Sequence, residues 1–136
     1  MLLGDLLTIV QEKLPIKIVI LNNGTLDFVE LEMKAEGLIN HYTDLQNPDF
    51  AKLTEVMGIK GFTVKNPHDL EAATQSFLNH DGPAILDVYT TSLELLWPPH
   101  VAIDNVAGMA LYGAKAIING QGKDFLDLLE DNFLKK

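Results

Sequence analysis

Two consecutive asparagines, Asn22 and Asn23, directly follow a short apolar segment and precede Gly24. That segment, residues 16–21 (IKIVIL), is rich in β-branched residues and is typical of a strand buried on both faces of a parallel sheet. In open α/β sheets, ligands bind beyond the carboxyl ends of the strands. An asparagine there can offer an amide oxygen to a hard cation such as Mg²⁺, and the adjoining turn can offer a backbone carbonyl. Asn-Gly also turns a chain without any ligand, so both interpretations stay open.

Other residue types with metal or nucleophilic chemistry are sparse. We interpret the histidines as loop or solvent residues, because none has metal-ligand spacing: His41, His68, His80 and His100. The absence of cysteine excludes a disulfide scaffold, a thiolate nucleophile and a cysteine-based zinc site. The sequence contains no glycine-rich phosphate loop and no nucleophile-elbow motif.

The elements that would position the asparagines alternate between helix and strand, which predicts an α/β fold with a parallel sheet flanked by helices. Strands are predicted over residues 16–21, 59–64 and 84–88. Helices are predicted over 3–14, 50–57 and from Asn66-Pro67 onward, with a helical carboxy-terminal tail near 104–119 and 123–134. Residues 28–34 fit either a strand or a helical turn. We place the domain boundary between residues 1–92 and the extension 93–136.

The charge and apolar content narrow the possible partners. The formal charge is -9, from 19 acidic and 10 basic residues, and every basic residue is a lysine. This composition argues against a nucleic-acid partner, because phosphate binding draws on clustered lysine and arginine. No apolar run approaches the roughly 20 residues of a spanning helix. We expect a cytoplasmic protein.

A family resemblance extends these inferences. Residues 4–37 (GDLLTIVQEKLPIKIVILNNGTLDFVELEMKAEG) are similar to the second half of the thiamine diphosphate signature, which runs from a helix through a strand to a paired asparagine. More narrowly, the chain resembles the carboxy-terminal, cofactor-binding (PP) domain of pyruvate oxidases, the membrane-associated, quinone-reducing pyruvate dehydrogenases. That likeness continues through Asp81-Gly82-Pro83, Pro98-Pro99 and the terminal segment IINGQGKDFLDLLEDNFLKK.

The resemblance implies a set of site residues. Mg²⁺ on the cofactor diphosphate would be bound by the side chain of Asn23 and the backbone carbonyl of Thr25, with Asn22 beside them at the cofactor. The family's active-site stretch matches three further residues: Phe28, Val29 and Glu32. In the family the aromatic ring lies between thiazolium and flavin, and the acid faces the substrate pocket. Without the resemblance, Phe28 and Val29 would be ordinary core and Glu32 a solvated charge. Asp27 departs from the glycine usual in these oxidases.

A second departure concerns the metal's carboxylate. The signature opens with Gly-Asp-Gly, whose aspartate binds Mg²⁺, and this sequence starts just after it. Two neutral oxygen donors are expected to bind a diphosphate poorly. The parent reaction implied is oxidative decarboxylation of pyruvate, with electrons passed to FAD and then quinone. This chain alone is expected to be inactive and to bind no FAD.

Two other functions remain open. Acetolactate-synthase-like enzymes share the signature, so the substrate is less certain than the cofactor. A small signalling or binding module of receiver or flavodoxin type would also be short and acidic. That alternative is weaker, because the first strand ends in Asn-Asn and Asp87 lies within a strand.

The tail and the sheet edge bear on partners. Phe125, Leu128, Leu129 and Phe133 form an apolar stripe in the last helix. The resembled oxidases engage membrane lipid through such a segment, which predicts peripheral membrane contact through residues 121–136. Interfacial helices usually carry a basic polar face, and this one is slightly acidic, so packing within the protein is an equal alternative. Homo-oligomerisation is expected, since a missing first strand would expose a sheet edge and apolar surface.

Overall fold

The computed structural model describes residues 3–93 and 103–134, and the predicted features at Pro98-Pro99 and His100 lie outside them. The helices, in chain order, are α1 (Asp5–Gln11), α2 (Asp27–Ala35), α3 (Phe50–Val56), α4 (Leu70–Asn79), α5 (Ile103–Ile118) and α6 (Gly122–Leu129). The strands are β1 (Lys17–Asn22), β2 (Lys60–Val64) and β3 (Ala84–Tyr89). A short 3₁₀ turn (Pro67–Asp69) precedes α4, and a π-helical turn (Glu130–Leu134) follows α6.

The chain divides into two compact units, one built from Met1–Asn23 with Gln46–Thr90 and the other from Gly24–Leu45 with Thr91–Lys136. The first unit contains a three-stranded sheet in the order β1-β3-β2, in which both strand pairs are parallel. The predicted α/β class with a parallel sheet is therefore confirmed. The predicted division at residue 92 stays a prediction; in the structure, residues 24–45 cluster with the carboxy-terminal helices.

One face of the sheet packs against α4. Its core consists of four buried side chains: Val64, Phe77, Ala84 and Leu86. The rings of Phe62 and Phe77 meet edge to face, with centroids 6.2 Å apart. β3 lies between the other two strands, and its first four residues are buried. The sequence pattern of β3 therefore correctly predicts a strand covered on both faces.

The opposite face packs against α3, and a glycine permits the close approach. A Cβ atom at Gly61 of β2 would lie less than 3.0 Å from backbone atoms of Ala51 in α3. Thr54, also in α3, is buried, and its hydroxyl donates to the carbonyl of Phe50 at 3.0 Å. The helix begins at an N-cap, where the side chain of Asp49 accepts a hydrogen bond from the amide of Lys52.

The prediction that residues 16–21 are buried on both faces is wrong. Val19 is 53% exposed and Leu21 is 71% exposed. Both lie on the face that α4 covers, but α4 packs on β2 and β3, whereas β1 is at the edge of the sheet. An apolar strand at the edge of a sheet can have the same sequence pattern as a central strand. The local pattern therefore does not predict the order of the strands.

The second unit is helical. Residues 28–34, ambiguous in sequence, belong to helix α2, and Leu31 of α2 is buried with Leu128 of α6 and packs near Met109 of α5. Helices α2 and α5 approach closely, since a Cβ atom at Gly108 would lie less than 3.0 Å from backbone atoms of Ala35. Among the described helices, none combines the length and apolar character needed to cross a membrane.

Candidate cofactor-binding site

Asn22, the last residue of β1, is buried, and both its side chain and its backbone carbonyl make hydrogen bonds. Its side-chain NH₂ donates to Oδ1 of Asp87 at 3.2 Å, and its amide oxygen accepts from the side chain of Asn47 at 2.9 Å. Its backbone carbonyl accepts from the amide of Thr90 at 3.1 Å. Asn22 therefore joins the carboxyl end of β1 to β3 and to the segment that leads into α3.

Asp87 is a polar residue that the sequence analysis treated only as part of a strand. It is fully buried, and its Oδ2 atom has no hydrogen-bond partner among the described residues. An acid inside the apolar run AILDV was the available signal, since unpaired acids are rarely buried completely. Asp87 lies two residues before Tyr89, the last residue of β3. It is therefore close to the carboxyl ends of the strands, where ligands of α/β folds bind.

The predicted metal ligand Asn23 is half-buried and is the last residue of the amino-terminal segment of the first unit. Gly24 follows with a φ of 71°, a left-handed conformation that side chains other than glycine adopt at a cost. No atom lies within 4 Å of a Cβ built at Gly24, so conformation and not space requires glycine there. The Asn-Asn-Gly sequence thus forms the sharp turn that its composition predicts.

Thr25, whose carbonyl is the second predicted ligand, is fixed by an antiparallel bridge to Asp44 in the second unit. The bridge bonds run from the amide of Leu26 to the carbonyl of Thr43, at 2.9 Å, and from the amide of Leu45 to the carbonyl of Gly24, at 2.8 Å. Both bonds are made by the neighbours of Thr25, so the bridge holds its backbone from both sides without using its own amide or carbonyl.

The Thr25 side chain is also held. Its hydroxyl donates to Oε1 of Glu30 in α2, and the carbonyl oxygen of Thr43 lies 3.3 Å from the same hydroxyl. The other oxygen of Glu30 accepts from Nζ of Lys34 at 2.9 Å, and both charged residues are buried. Burial by itself raises the pKa of Glu30, but hydrogen bonds from Thr25, Lys34 and Thr43 more than offset it, so the pKa is lowered.

The predicted catalytic residues lie together on α2. Phe28 is 61% exposed, Val29 is 42% exposed and Glu32 is exposed as well. Phe28 and Glu32 are one helical turn apart, with Val29 beside them, which places them on a surface separate from the buried Glu30 and Leu31. The plainer interpretation of Phe28 and Val29 as core is not what the structure shows. Their catalytic roles stay predictions.

The donor chemistry of this region suits Mg²⁺, which prefers oxygen ligands. The amide oxygen of Asn23 and the carbonyl of Thr25 are neutral donors of that kind. Within residues 3–93 and 103–134, no group of three or more His, Cys, Asp or Glu side chains could hold a metal. Both groups are therefore of a type that binds Mg²⁺. Because both are neutral, most of the negative charge that balances the metal would have to come from the diphosphate it binds.

The first unit is an α/β domain with a parallel sheet, a class in which ligands bind beyond the carboxyl ends of the strands. A family profile described as "Thiamine pyrophosphate enzyme, C-terminal TPP binding domain" matches residues 1–88, more than half of the chain. The chain belongs to the thiamine pyrophosphate (thiamine diphosphate) enzymes, as a C-terminal cofactor-binding domain. The family assignment of the sequence analysis is confirmed at this level.

Individual relatives refine the comparison. The chain is 36% identical over 121 residues, 89% of its length, to YdaP of Bacillus subtilis, whose name describes a thiamine pyrophosphate-containing protein. It is 35% identical over 69% of its length to the large subunit of acetolactate synthase isozyme 2 of Escherichia coli. It is 40% identical over 65% of its length to the mitochondrial acetolactate synthase catalytic subunit of Saccharomyces cerevisiae. The matches span 21%, 18% and 13% of these relatives.

Proposed function

We propose that the chain is the cofactor-anchoring domain of an acetolactate-synthase-like thiamine diphosphate enzyme. The observation that carries the proposal is the likeness to acetolactate synthases over about two thirds of the chain, combined with the family match. These relatives favour acetolactate synthesis over the pyruvate oxidase interpretation. Electron transfer to FAD and a quinone, as in pyruvate oxidases, is the less supported alternative.

The proposed roles follow the sequence and the local geometry. Asn23 and Thr25 supply neutral oxygen ligands to Mg²⁺, which in turn binds the diphosphate of the cofactor. Asn22 stabilises the end of β1, directly before the turn, through its hydrogen bonds to Asp87 and Asn47. Phe28, Val29 and Glu32 form the exposed surface of α2 that faces the reacting groups. The bound cofactor supplies carbanion stabilisation, and the protein positions it.

Calorimetric titration of the chain with thiamine diphosphate in excess Mg²⁺ tests the anchoring role. We expect weak, Mg²⁺-dependent binding that Asn23→Ala weakens at least about tenfold, because one oxygen ligand of the metal is lost. Asn79→Ala, at an exposed asparagine ending α4, is the matched control and should bind as the wild type does. Equal binding by Asn23→Ala and the wild type would contradict the role of Asn23, and no binding by the wild type would contradict anchoring by this chain.

Product analysis separates the two reactions. Because this chain alone is expected to be inactive, a full-length enzyme that carries this domain is incubated with pyruvate, thiamine diphosphate and Mg²⁺, with and without FAD and a quinone analogue, and acetolactate and reduced quinone are quantified. The proposal expects turnover to yield acetolactate without reduction of the quinone. FAD-dependent reduction of the quinone without acetolactate would support the pyruvate oxidase interpretation instead.

A further inference from the structure

The buried face of helix α2 carries an ion pair. Glu30 and Lys34 are one helical turn apart, with relative exposures of 6% and 4%. Burying two charges costs desolvation energy that their attraction often only offsets, and an apolar pair of similar volume is commonly as stable or more so. Stability alone therefore does not account for this pair. Its bonding pattern points to a geometric role.

The carboxylate of Glu30 connects the loop to the helix. One oxygen accepts from the hydroxyl of Thr25 and the other from Nζ of Lys34. Hydrogen bonds to charged acceptors are short and directional, so they fix the position of the donor more strictly than apolar contact does. The side chain of Thr25 is thus tied to the first turn of α2, five residues further along the chain.

Lys34 is itself fixed by the packing of the second unit. Its Nζ lies 5.7 Å from the centroid of the Tyr112 ring in α5. Just beyond the helix, Nζ of Lys115 in α5 donates to the carbonyl of Gly37 at 2.7 Å. The Cβ space at Gly108 is filled by the backbone of Ala35. Contacts at Lys34, at Ala35 and just beyond α2 at Gly37 hold this segment against α5, and they place the Lys34 cation beside Glu30.

We infer that Glu30, held in place by Lys34, is a positioning residue that sets the orientation of the Thr25 backbone for metal binding. This inference rests on the proposed function, because Thr25 is the carbonyl ligand there. The bridge through Leu26 and Leu45 fixes the loop against residues 43–45, and Glu30 fixes the Thr25 side chain against α2. Together the two constraints leave the peptide groups around Thr25 little freedom to rotate.

Two readouts test the positioning role in the full chain. The first, without cofactor, is amide hydrogen exchange at Leu26 and Leu45, whose amides make the bridge bonds. Thr25→Val removes the hydroxyl but keeps the carbonyl, and Thr25→Ser restores the hydroxyl. We expect Thr25→Val to speed exchange at both amides at least about tenfold, as fits the loss of a hydrogen bond to a charged group, and Thr25→Ser to restore it.

A charge-free pair separates positioning from stability. The double variant Glu30→Leu/Lys34→Met should keep the fold, with unchanged exchange at the buried Ala116 of α5, yet expose Leu26 and Leu45 to faster exchange. The matched control is Lys123→Met/Asp127→Leu, which removes an exposed pair at the same i,i+4 spacing in α6. Unchanged exchange at Leu26 and Leu45 in a folded double variant would overturn the inference. So would equal acceleration at Ala116, which reports a merely structural effect.

The second readout is Mg²⁺-dependent binding of thiamine diphosphate. We expect Thr25→Val and the charge-free pair to weaken it at least about tenfold, in line with the cost of disturbing groups that support a metal site. Unchanged affinity together with faster exchange would overturn the link to the metal. If the wild type binds no cofactor, the proposed function fails for this chain, while the exchange rates still decide whether Glu30 positions Thr25.

Discussion

The side-chain amide of Asn22 donates a hydrogen bond to Oδ1 of Asp87 at 3.2 Å, tying the end of β1 to the central strand. The pair joins two residues 65 positions apart in the chain. Oδ2 of Asp87 has no partner among the described residues, although the side chain is fully buried. The end of the strand that leads into the turn of Asn23 therefore depends on a polar contact in the core.

Removing both members of this pair should cost less than the sum of the two single removals. Asp87→Leu leaves the NH₂ group of Asn22 buried without that acceptor, which costs about 1–3 kcal/mol. The double variant Asn22→Leu/Asp87→Leu removes donor and acceptor together and should lose less than the sum of the two single changes. Urea unfolding of the four proteins measures the coupling. Additive losses would show that the contact contributes nothing beyond its separate side chains.

Gly61 should be the most sensitive glycine of the first unit. In Gly61→Ala, the new methyl group meets backbone atoms of Ala51, which cannot move aside as a flexible side chain can. We expect a loss of about 3 kcal/mol, the upper end of ordinary overpacking. Gly4→Ala is the control, because no atom lies within 4 Å of a Cβ at that position. A Gly61→Ala variant as stable as Gly4→Ala would mean that α3 and β2 are less closely packed than described.

The strands could be predicted from sequence because short β-branched runs between turn residues have few alternatives. Helix α2 could not, since the order of FVELEMK alternates between apolar and charged residues almost as a strand does. Helical packing prevails because it brings Glu30 next to Lys34 and buries Leu31 against Leu128. A periodicity argument treats charged residues as solvent-facing, so it cannot predict that pair as buried.

The candidate site shows the same limit. Asn22 and Asn23 could be proposed because they directly follow a predicted strand in a recognisable turn, whereas Thr25 was named only through the family resemblance. Asp87 and Glu30 were missed, because their importance depends on partners supplied by the fold. The exposure of Val19 and Leu21 was also missed, since it depends on β1 lying at the edge of the sheet.

Self-association, proposed from sequence, can be tested at that edge. Val19 and Leu21 give β1 an exposed apolar face, and lysine on an edge strand discourages pairing with another chain. If copies of the chain associate through β1, Leu21→Lys should lower the mass measured by light scattering. Val56→Lys, at a residue 90% exposed in α3, adds the same charge elsewhere and should leave the mass unchanged. An unchanged mass for Leu21→Lys would move any interface away from β1.

Membrane contact through residues 121–136 remains a proposal, and the structure limits which side chains can make it. Leu128 is buried, and Phe125 meets the Tyr112 ring at a centroid distance of 5.9 Å, so both serve the packing of α6 on α5. Leu126 is 63% exposed. The proposal therefore predicts that Leu126→Ser abolishes vesicle flotation without changing the free energy of unfolding. Leu128→Ala should instead cost about 2–5 kcal/mol.

Flotation is measured with vesicles containing anionic lipid, at matched concentrations of folded protein. Deleting the tail is a poor test, because it would remove the core residue Leu128 along with the exposed surface. The acidic side chains of Asp124 and Asp127 oppose binding to such lipid. Equal flotation of the wild type and Leu126→Ser, or none for either, would speak against docking through this helix.

Glu30 predicts a specific dependence of stability on pH. Its folded-state pKa is lowered from the ordinary value of 4.5, so its contribution is present above that value and is lost as pH falls through the lower, folded-state pKa. At neutral pH, Glu30→Gln should cost about 3–5 kcal/mol, because Lys34 is then buried without its carboxylate. The difference in free energy of unfolding between the wild type and Glu30→Gln should become smaller as the pH falls below 4.5.

Urea unfolding between neutral pH and about pH 3 follows this narrowing, since the unfolded state binds the proton more tightly over that range. The control is Glu55→Gln, whose carboxylate pairs with Lys60 at 2.8 Å on the surface and whose pKa is also lowered, first by the hydrogen bond from Lys60. Because solvent screens that exposed pair, Glu55→Gln should change the dependence of the free energy of unfolding on pH much less than Glu30→Gln does. The prediction would be contradicted by a difference in free energy of unfolding between the wild type and Glu30→Gln that stays the same at every pH. The negative charge of Glu30 would then contribute nothing that acid removes, and its contacts with Thr25 and Lys34 would stabilise the fold through packing alone.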